Sequence, residues 1–434
     1  MLAATLEVSS MHHFVDFKSF RNARIELLEP LVILVGPNGS GKSNALEGIE
    51  VLSSIAAGNR LREITDLDRE GALNVRGGLQ GCPRYGTNSF TLAFSAAIPW
   101  RSEMGPFRYS VTVTPLPEPR ITAESLVFRS TMLFREIPGS SGLTSTDVRV
   151  EYNNFARGGK KPQTPVSATQ SVLSQYEHFA TKNRKLPESL RLIRAVRDHL
   201  RASFVFDPKP SAMRRYERIG HDSLLRDGSN LSSVLYGLNE NGKAKLDELF
   251  DHIRQVPDEP YSRFDFVATQ LGDVIFGMRE EHSNQLSDAR MLSDGTLRAL
   301  AVLTAVATGE RHSRVVVEEF DNGLHPSRVA SLVQAIAQIR EERNINVLLS
   351  THNPEVLNVL TPEQQQNVVL AFRSKDDYCS RLLPLHQVAR YDELLERGRL
   401  GDLVTRRIVD QHLDPEFEKK RDEAMGRWLA ELAK

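Results

Sequence analysis

The sequence predicts an α/β fold in which a mainly parallel sheet with flanking helices lies beside an antiparallel β layer and carries an inserted, largely helical lobe. Three observations predict this arrangement. An unbroken apolar run at 31–35 precedes a glycine-rich loop and a helical pattern, short alternating strands occupy 88–114, and apolar strands return at 315–317 and 347–349. Continuous apolar strands are typical of burial on both faces, and their alternation with helices indicates a parallel sheet.

Composition excludes several classes of protein. With 434 residues, 40% of them hydrophobic and 26% charged, the chain can bury a large core and a second lobe. The formal net charge of -1 provides no overall field that would concentrate nucleic acid. The chain has two cysteines, Cys82 and Cys379, which are too few for a disulfide framework or a four-ligand zinc site. This low cysteine content is typical of proteins in a reducing cytoplasm. The His12–His13 pair lacks the spacing of metal ligands. Because no stretch approaches the roughly 18 apolar residues of a membrane span and the N-terminus lacks a signal-peptide pattern, we expect a cytoplasmic protein without membrane contact.

Domain organisation follows from shifts in periodicity. We expect the main α/β domain, called the head, to combine residues 1–134 with 287–385, the inserted lobe to span 135–286, and a helical extension to span 386–434. The part of the insertion at 135–169 is rich in Gly, Ser, Pro and Lys and predicts loops, and helical patterns dominate the rest. In the extension, four large apolar side chains share one side and predict a helix docked on its own chain or, alternatively, on a partner: Phe417, Met425, Trp428 and Leu432.

The segment GPNGSGKS predicts a phosphate-binding loop, because it follows a buried strand and opens a helix. Its glycines let backbone N–H groups converge on phosphate oxygens at a helix N-terminus, where the helix dipole also favours an anion. The Lys42 ammonium would reach the β- and γ-phosphates of ATP, and the Ser43 hydroxyl would bind Mg²⁺. The predicted nucleotide-binding residues of this loop are Gly36, Pro37, Asn38, Gly39, Ser40, Gly41, Lys42, Ser43 and Asn44.

Two acids, Glu318 and Glu319, end the apolar strand at 315–317 in the Walker B arrangement. The first acid is predicted to hold Mg²⁺ together with Ser43, and the second to orient and polarise the attacking water. The first position is usually Asp. Because the glutamate is one methylene longer, we expect its Mg²⁺ contact to shift or to run through water.

Two histidines follow the predicted strands. His352 comes after the strand at 347–349, where it can bond the γ-phosphate and report its loss, so that it joins Lys42 and Glu319 in the predicted catalytic set. His325 lies just past the Walker B acids. It either contacts a second copy of the chain or packs within its own turn.

The segment LSDGT separates this chain from other proteins with a phosphate loop. Ser293, Asp294 and Gly295 open a predicted helix at 297–306 and form a second anion-binding helix N-terminus. Because the chain's own phosphate loop already holds the nucleotide, this second site is predicted to bind the γ-phosphate of another subunit. The expected assembly is a head-to-tail homodimer or a higher even-numbered oligomer.

The motif order FKSF, GPNGSGKSN, FDP, LSDGTLR, GLHP and STHNPEVL resembles the ABC-type ATPases of the RecF, SMC and OLD group. More closely, it resembles the single-chain AAA-family ATPases of bacterial anti-phage defence operons. The resemblance implies a P-loop ABC-type ATPase head that dimerises around ATP and controls DNA or an effector protein. It also implies a glutamine sensor, for which Gln80 is the nearest candidate and an ordinary loop residue the alternative.

Two departures from relatives narrow the function. Ser43 and Ser293 are 250 residues apart, more than a transporter subunit needs and fewer than long coiled-coil arms require. The 82 residues after His352 show no acid-rich nuclease constellation, since Asp376–Asp377 alone is typical of a solvated turn. We therefore predict an ATPase that controls a separate effector, a nuclease or toxin, in anti-phage defence. The alternative is a RecF-like DNA-binding ATPase in repair or recombination.

A basic edge is predicted on the helix at 189–202. Its arginines recur at helical spacing beside an apolar stripe of Leu190, Ile193, Val196 and Leu200, and they are Arg191, Arg194, Arg197 and Arg201. Such an edge suits the phosphates of DNA or RNA, a protein partner or plain solvation.

Overall fold

The computed structural model describes residues 10–26, 30–64, 75–139, 146–255, 260–311 and 313–413. The first part of the chain forms β1 (Met11–Phe17), β2 (Phe20–Ile25), β3 (Leu31–Val35), α1 (Lys42–Ala57), β4 (Phe90–Trp100), β5 (Glu103–Thr114), β6 (Arg120–Phe128), β7 (Thr131–Glu136), β8 (Asp147–Tyr152) and β9 (Gln163–Ser167). The middle part forms α2 (Val172–Phe179), α3 (Leu186–Arg201), β10 (Ser203–Phe206), α4 (Pro210–Met213), β11 (Glu217–Arg218), α5 (Leu231–Asn241), α6 (Lys243–Arg254), β12 (Tyr261–Ala268), β13 (Asp273–Glu280) and β14 (Leu286–Asp288). The last part forms α7 (Asp294–Thr308), β15 (Arg314–Val317), α8 (Pro326–Arg343), β16 (Asn346–Thr351), α9 (Val356–Val359), α10 (Pro362–Gln365), β17 (Val368–Arg373), β18 (Ser380–Pro384), α11 (Tyr391–Arg397), α12 (Leu400–Thr405) and α13 (Ile408–His412).

A six-stranded sheet positions the site. Its order is β10-β15-β16-β3-β17-β18, and all neighbours are parallel except the β17–β18 pair. The carboxyl ends of β3, β10, β15 and β16 therefore lie at one edge, where ligands bind in open α/β sheets. Backbone hydrogen bonds also tie the residues just after β3 and β15 to the ends of neighbouring strands. The Gly36 N–H donates to Thr351 O at 3.3 Å, and the Glu318 N–H donates to Phe206 O at 2.9 Å.

The antiparallel layer is an eight-stranded sheet of order β2-β1-β4-β5-β6-β7-β8-β9. Burial alternates along β4 and β5, as expected of strands with one face on a core. Helix α1 packs between this sheet and the parallel sheet, and the predicted positions Leu46, Ile49 and Leu52 are all buried in that core. A third, four-stranded sheet of β11, β12, β13 and β14 packs with α5 and α6.

The parallel sheet is a wall shared by two hydrophobic cores. Along β3, Val32 and Leu34 face the core with the antiparallel sheet, whereas Leu31, Ile33 and Val35 face the core with α7 and α8. Strands β15 and β16 divide in the same way. This explains the unbroken apolar runs at 31–35, 315–317 and 347–349.

The fold class is confirmed, but part of the insertion was predicted wrongly. Residues 135–169 contain β8 and β9, which extend the antiparallel sheet, instead of loops alone. Val148, Val150 and Tyr152 alternate as buried positions among loop-like residues, and Pro165 is tolerated because β9 is an edge strand. Within its described residues, the remainder of 135–286 forms α2 to α6 and also β10 to β14, so it is less helical than predicted.

The C-terminal extension is described only to residue 413, where α11, α12 and α13 are helical as predicted. The apolar side chains at positions 417, 425, 428 and 432 lie outside the described residues. Within the described ranges, no helix combines the length and apolar character that a bilayer crossing requires.

Candidate nucleotide-binding site

The loop after β3 has the backbone geometry of a phosphate cradle. Gly39 (φ 77°) and Gly41 (φ 110°) adopt the left-handed region, which other residues enter at a cost. Gly36 packs so tightly that a Cβ there would lie 2.2 Å from Ala371 O. Gly41 is the N-cap of the 16-residue helix α1 and has no side chain to cap it. The first backbone N–H groups of α1 are therefore directed at the loop.

The Lys42 ammonium lies inside this loop. The side chain is buried, and Nζ donates to Gly36 O at 2.6 Å and Pro37 O at 3.2 Å. Burial lowers the pKa of Lys42, against the nearby carboxylates of Glu319 and Glu318, which raise it. The Ser40 hydroxyl is also buried and has no hydrogen-bond partner among the described residues. Both groups fit phosphate oxygens, which at Lys42 would replace the carbonyls of Gly36 and Pro37.

The two predicted Mg²⁺ ligands are in contact. The Ser43 Oγ donates to Glu318 Oε1, although the two residues are 275 positions apart. The extra methylene of the glutamate therefore does not separate the carboxylate from the hydroxyl. This pair of oxygen ligands suits Mg²⁺.

Glu319 and His352, predicted to act together, are neighbours. The Glu319 Oε1 lies 3.5 Å from His352 Nδ1, and both side chains are partly exposed, at 38% and 42%. Asn322 Nδ2 donates to the other carboxylate oxygen at 3.4 Å. The Glu319 backbone is in the left-handed region, with φ 47°, and its N–H donates to Ser350 Oγ at 3.2 Å. The strand ends thus present an open carboxylate–imidazole pair beside the phosphate loop.

The LSDGT segment caps α7 as predicted. Ser293 is the N-cap, and its Oγ accepts from the Thr296 N–H at 3.0 Å. Gly295 abuts the turn after the Walker B acids, since a Cβ there would lie 2.8 Å from Gly323 O. Asp294 is largely exposed and forms an ion pair with Arg214 at 2.6 Å. The Ser293 Oγ is therefore hydrogen-bonded within its own helix, and Ser293 is exposed at the N-terminus of α7.

Sequence reasoning missed two buried charged residues near Glu319. Arg298, in α7, donates from Nη1 to Glu319 O at 3.2 Å. Asp321 is buried, burial raises its pKa, and its Oδ1 has no partner among the described residues. The available signals were a lone arginine in the apolar helix LRALAVL and a third acid in EEFD.

A distant hairpin that supports the loop was also missed. From β17, Arg373 Nε donates to Gly39 O at 2.8 Å. From β18, Ser380 Oγ bonds Ser19 Oγ at 2.7 Å, which also accepts from Asn44 Nδ2 at 2.7 Å. The turn between β1 and β2 and the hairpin β17–β18 therefore hold the start of α1. No local pattern in the sequence predicts these contacts.

Other predicted residues lie in different surroundings. Gln80 is exposed in a short 3-10 turn at 79–81, and its sensor role stays a prediction. His325 caps α8 by accepting from the Ser327 N–H, so it packs within its own turn, and a contact with a second copy stays a prediction.

The basic edge forms on α3 but is partly paired. Ile193, Val196 and Leu200 are buried as predicted. Arg194 forms an ion pair with Glu177 at 3.1 Å, and Arg201 with Asp198 at 3.3 Å. Arg191 is exposed, whereas Arg197 is half-buried.

This chain matches a protein-family model over most of its length and proteins of known role over short segments. Residues 31–358 match the family model described as "AAA domain, putative AbiEii toxin, Type IV TA system". The DNA replication and repair protein RecF of Acaryochloris marina (strain MBIC 11017) is 39% identical over 59 residues, which cover 14% of this chain and 16% of that protein. The chromosome partition protein Smc of Methanococcus voltae is 46% identical over 37 residues, which cover 8% of this chain and 3% of that protein. The chain therefore spans less than a fifth of these relatives.

Two solved structures of SMC heads are similar in outline. The SmcHead bound to the C-winged helix domain of ScpA aligns with TM-score 0.47 and 13% identity over 87% of this chain and 97% of that one. The SMC head domain from Thermotoga maritima aligns with TM-score 0.40 and 12% identity over 87% of this chain and 99% of that one.

The family model matches most of the chain, from β3 through the phosphate loop, α7 and the Walker B acids to α9. The chain therefore belongs to this AAA domain family.

Proposed function

We propose that this chain binds and hydrolyses ATP with Mg²⁺ in a head-to-tail dimer and thereby controls a separate effector protein. One observation carries the proposal. Lys42, Ser43, Glu318, Glu319 and His352 come from three distant parts of the chain and converge at the carboxyl edge of one parallel sheet. Each has the chemical type that phosphoryl transfer to water requires.

The residues present fit both ATP and Mg²⁺. The α1 N-terminus, the buried Lys42 ammonium and the unpartnered Ser40 hydroxyl suit a triphosphate. Ser43 and Glu318 would hold Mg²⁺, which supplies positive charge to the phosphate oxygens when bound.

The chain's own residues divide the work of hydrolysis. On nucleotide binding, Lys42 exchanges the carbonyls of Gly36 and Pro37 for phosphate oxygens, so its charge is already in place. The Glu319 carboxylate accepts a hydrogen bond from the attacking water and orients it. The imidazole of His352, 3.5 Å from that carboxylate, bonds the γ-phosphate and changes partner when the phosphate leaves.

The dimer follows from the second helix N-terminus. The 15-residue helix α7 begins near Ser293 and Gly295, and its N-terminus suits an anion beside the Thr296 N–H, which Ser293 Oγ already caps. In a head-to-tail pair, this end of one chain would complete the phosphate site of the other. The proposed assembly is therefore a dimer or a higher even-numbered oligomer with two composite sites per pair.

The effector is proposed to be a toxin or nuclease in anti-phage defence. The description of the matched family, "AAA domain, putative AbiEii toxin, Type IV TA system", supports a role in a toxin–antitoxin system. A second candidate is a DNA-binding ATPase like RecF, favoured by the matched RecF segments and by the exposed Arg191 on α3.

Substitution of Glu319 by Gln tests the proposal. Because the amide cannot polarise water, we expect ATP hydrolysis to fall by about 100-fold or more while ATP binding and the ATP-dependent dimer persist. Lys42→Ala should abolish ATP binding. Hydrolysis is measured by phosphate release, and the dimer by light scattering with and without ATP and Mg²⁺.

Glu342→Gln, at an exposed position of α8, is the matched control and should behave as the wild type. Normal hydrolysis by Glu319→Gln would refute its role, and a monomer under all conditions would refute the composite site. Affinity purification of Glu319→Gln from its native cell then identifies the effector. Recovery of nucleic acid instead of a protein favours the second candidate.

A further inference from the structure

Arg298 is a charged residue in the buried part of α7. Only 8% of its surface is exposed, and its neighbours in the helix are apolar. A buried guanidinium is costly unless it is paired, because removal from water penalises the charge. Burial lowers the pKa of Arg298, and the carboxylates of Asp207, Glu319, Asp321 and Asp294 raise it. Its Nη1 nevertheless donates to a backbone carbonyl, that of Glu319, at 3.2 Å.

The carbonyl that Arg298 contacts belongs to a strained residue. Glu319 has φ 47°, a left-handed conformation that costs a non-glycine residue roughly 1–3 kcal/mol. Such a conformation persists only where the surroundings hold it. Here the Ser350 hydroxyl accepts from the N–H of Glu319, and its C=O accepts both from Arg298 Nη1 and from the Asn322 N–H of the following turn. The Glu319 backbone is thus held from both sides, by β16 and by α7.

Helix α7 also begins with the LSDGT segment, which in the proposed dimer binds the nucleotide of a second copy. Ser293 is the N-cap of α7 and lies five residues before Arg298. Gly295 packs directly on Gly323, in the turn that follows Glu319. A small displacement of α7 therefore reaches Glu319 through two contacts.

We propose that Arg298 is a positioning residue that holds Glu319 in its working geometry and couples the α7 N-terminus to catalysis in the same chain. The inference rests on the proposed function. When a phosphate of the second copy's nucleotide binds at Ser293, α7 settles and Arg298 fixes the water-orienting carboxylate. Each of the two composite sites is thereby sensitive to the occupancy of the other.

Arg298→Gln and Arg298→Lys test this role. Gln replaces the guanidinium of Arg298 with an amide, and Lys replaces it with an ammonium. We expect the kcat for ATP hydrolysis to fall about 10- to 100-fold in both variants, because misplacement of the Glu319 carboxylate by about 1 Å costs that much. The affinity for ATP, and the ATP-dependent dimer in a Glu319→Gln background, should change less than about threefold. The Hill coefficient for ATP should fall from above 1 in the wild type to 1 in Arg298→Gln.

Arg343→Gln is the matched control. Arg343 makes the same type of bond, from Nη2 to Gly309 O at 3.1 Å, but at the other end of α7. Its substitution should leave kcat and the Hill coefficient unchanged. Ser350→Ala removes the bond to the Glu319 N–H and should reproduce the kcat loss, which keeps the test decisive if Arg298→Gln does not fold.

Two outcomes would overturn the inference. One is wild-type kcat in Arg298→Lys or Ser350→Ala. The other is a kcat loss matched by an equal loss of ATP affinity and of dimer, which a purely structural role would produce. If the wild type itself shows no hydrolysis that depends on Lys42, the proposed function fails first, and the inference falls with it.

Discussion

At the residue scale, two buried carboxyl groups differ sharply in their partners. Glu124 accepts from the N–H groups of Val172 and Leu173 at the start of α2 and from the Tyr109 hydroxyl. Glu136, beside it on β7, is buried, and neither of its oxygens has a partner among the described residues. Burial, and then the neighbouring Glu124, raise the pKa of Glu136 to about 8. This carboxyl is therefore protonated in the folded protein at neutral pH.

Glu136→Gln should stabilise the protein at high pH. A folded-state pKa above the unfolded value of 4.5 contributes stability that is complete below about pH 4.5 and is lost as pH rises through about 8. The uncharged amide removes this dependence, so we expect a gain of roughly 1–2 kcal/mol at pH 9 and almost none at pH 5, after allowance for solvent screening. Urea unfolding at the two pH values measures the difference. Equal effects at both values would contradict the assignment.

At the element scale, α1 is shaped by close packing as much as by helix propensity. Gly48 lies in its middle, where a Cβ would meet Phe14 Cε1 at 2.5 Å and Phe17 Cε1 at 3.2 Å. Both rings are buried between the two large sheets. The glycine thus lets the helix approach β1 and brings the phosphate loop to its place.

Gly48→Ala should therefore destabilise the protein despite the better helix former. The gain in propensity is about 0.5–1 kcal/mol, but overpacking against a buried ring costs about 1–3 kcal/mol, so we expect a net loss of about 1 kcal/mol. Gly237→Ala in α5 is the control, since its Cβ would meet only His221 O at 3.8 Å, and it should stabilise by about 0.5–1 kcal/mol. Urea midpoints measure both changes. A stabilised Gly48→Ala would show that the ring moves freely.

Elements with local signals could be predicted, and those that depend on distant pairing could not. The run of β3, the glycine loop and α1 was recognised because each part carries its own pattern within 30 residues. Strand β9 was missed, since its exposed, proline-containing segment is a strand only through pairing with β8. For the same reason Arg373 escaped notice, because its bond to Gly39 spans 334 positions.

The candidate site divides in the same way. The residues that touch nucleotide in the proposal lie in short motifs whose spacing reflects their chemistry, and the structure brings Ser43, Glu318, Glu319 and His352 together. Arg298 has no such signature. Its partner is a backbone carbonyl outside α7. Because every residue has a carbonyl, the sequence does not show which one an arginine contacts.

At the scale of the whole molecule, the shared sheet joins the site to both cores. Alternate residues of β3, β15 and β16 face opposite cores, and the strands end at the edge that carries the candidate site. A partner that shifts either core can therefore alter the site without touching nucleotide. This arrangement suits control of an effector better than direct work on a nucleic acid, to which the net charge of -1 offers no general attraction.

The basic edge of α3 distinguishes these two functions. Two of its arginines are already paired, Arg194 with Glu177 and Arg201 with Asp198, and each exposed pair is worth up to about 1 kcal/mol, or fivefold in affinity. We therefore expect weak binding of a 30-base-pair duplex by the ATP-bound Glu319→Gln protein, with a salt slope shallower than about -2. Arg191→Gln combined with Arg194→Gln should change the affinity less than about threefold, as should the control Arg24→Gln at an exposed position of β2. Fluorescence anisotropy across a salt series measures both quantities. Three phosphate contacts would give a salt slope near -3, because each contributes about -0.9. If the wild-type arginines give such a slope and only the Arg191 and Arg194 variant loses it, α3 is a nucleic-acid surface and the RecF-like function is favoured.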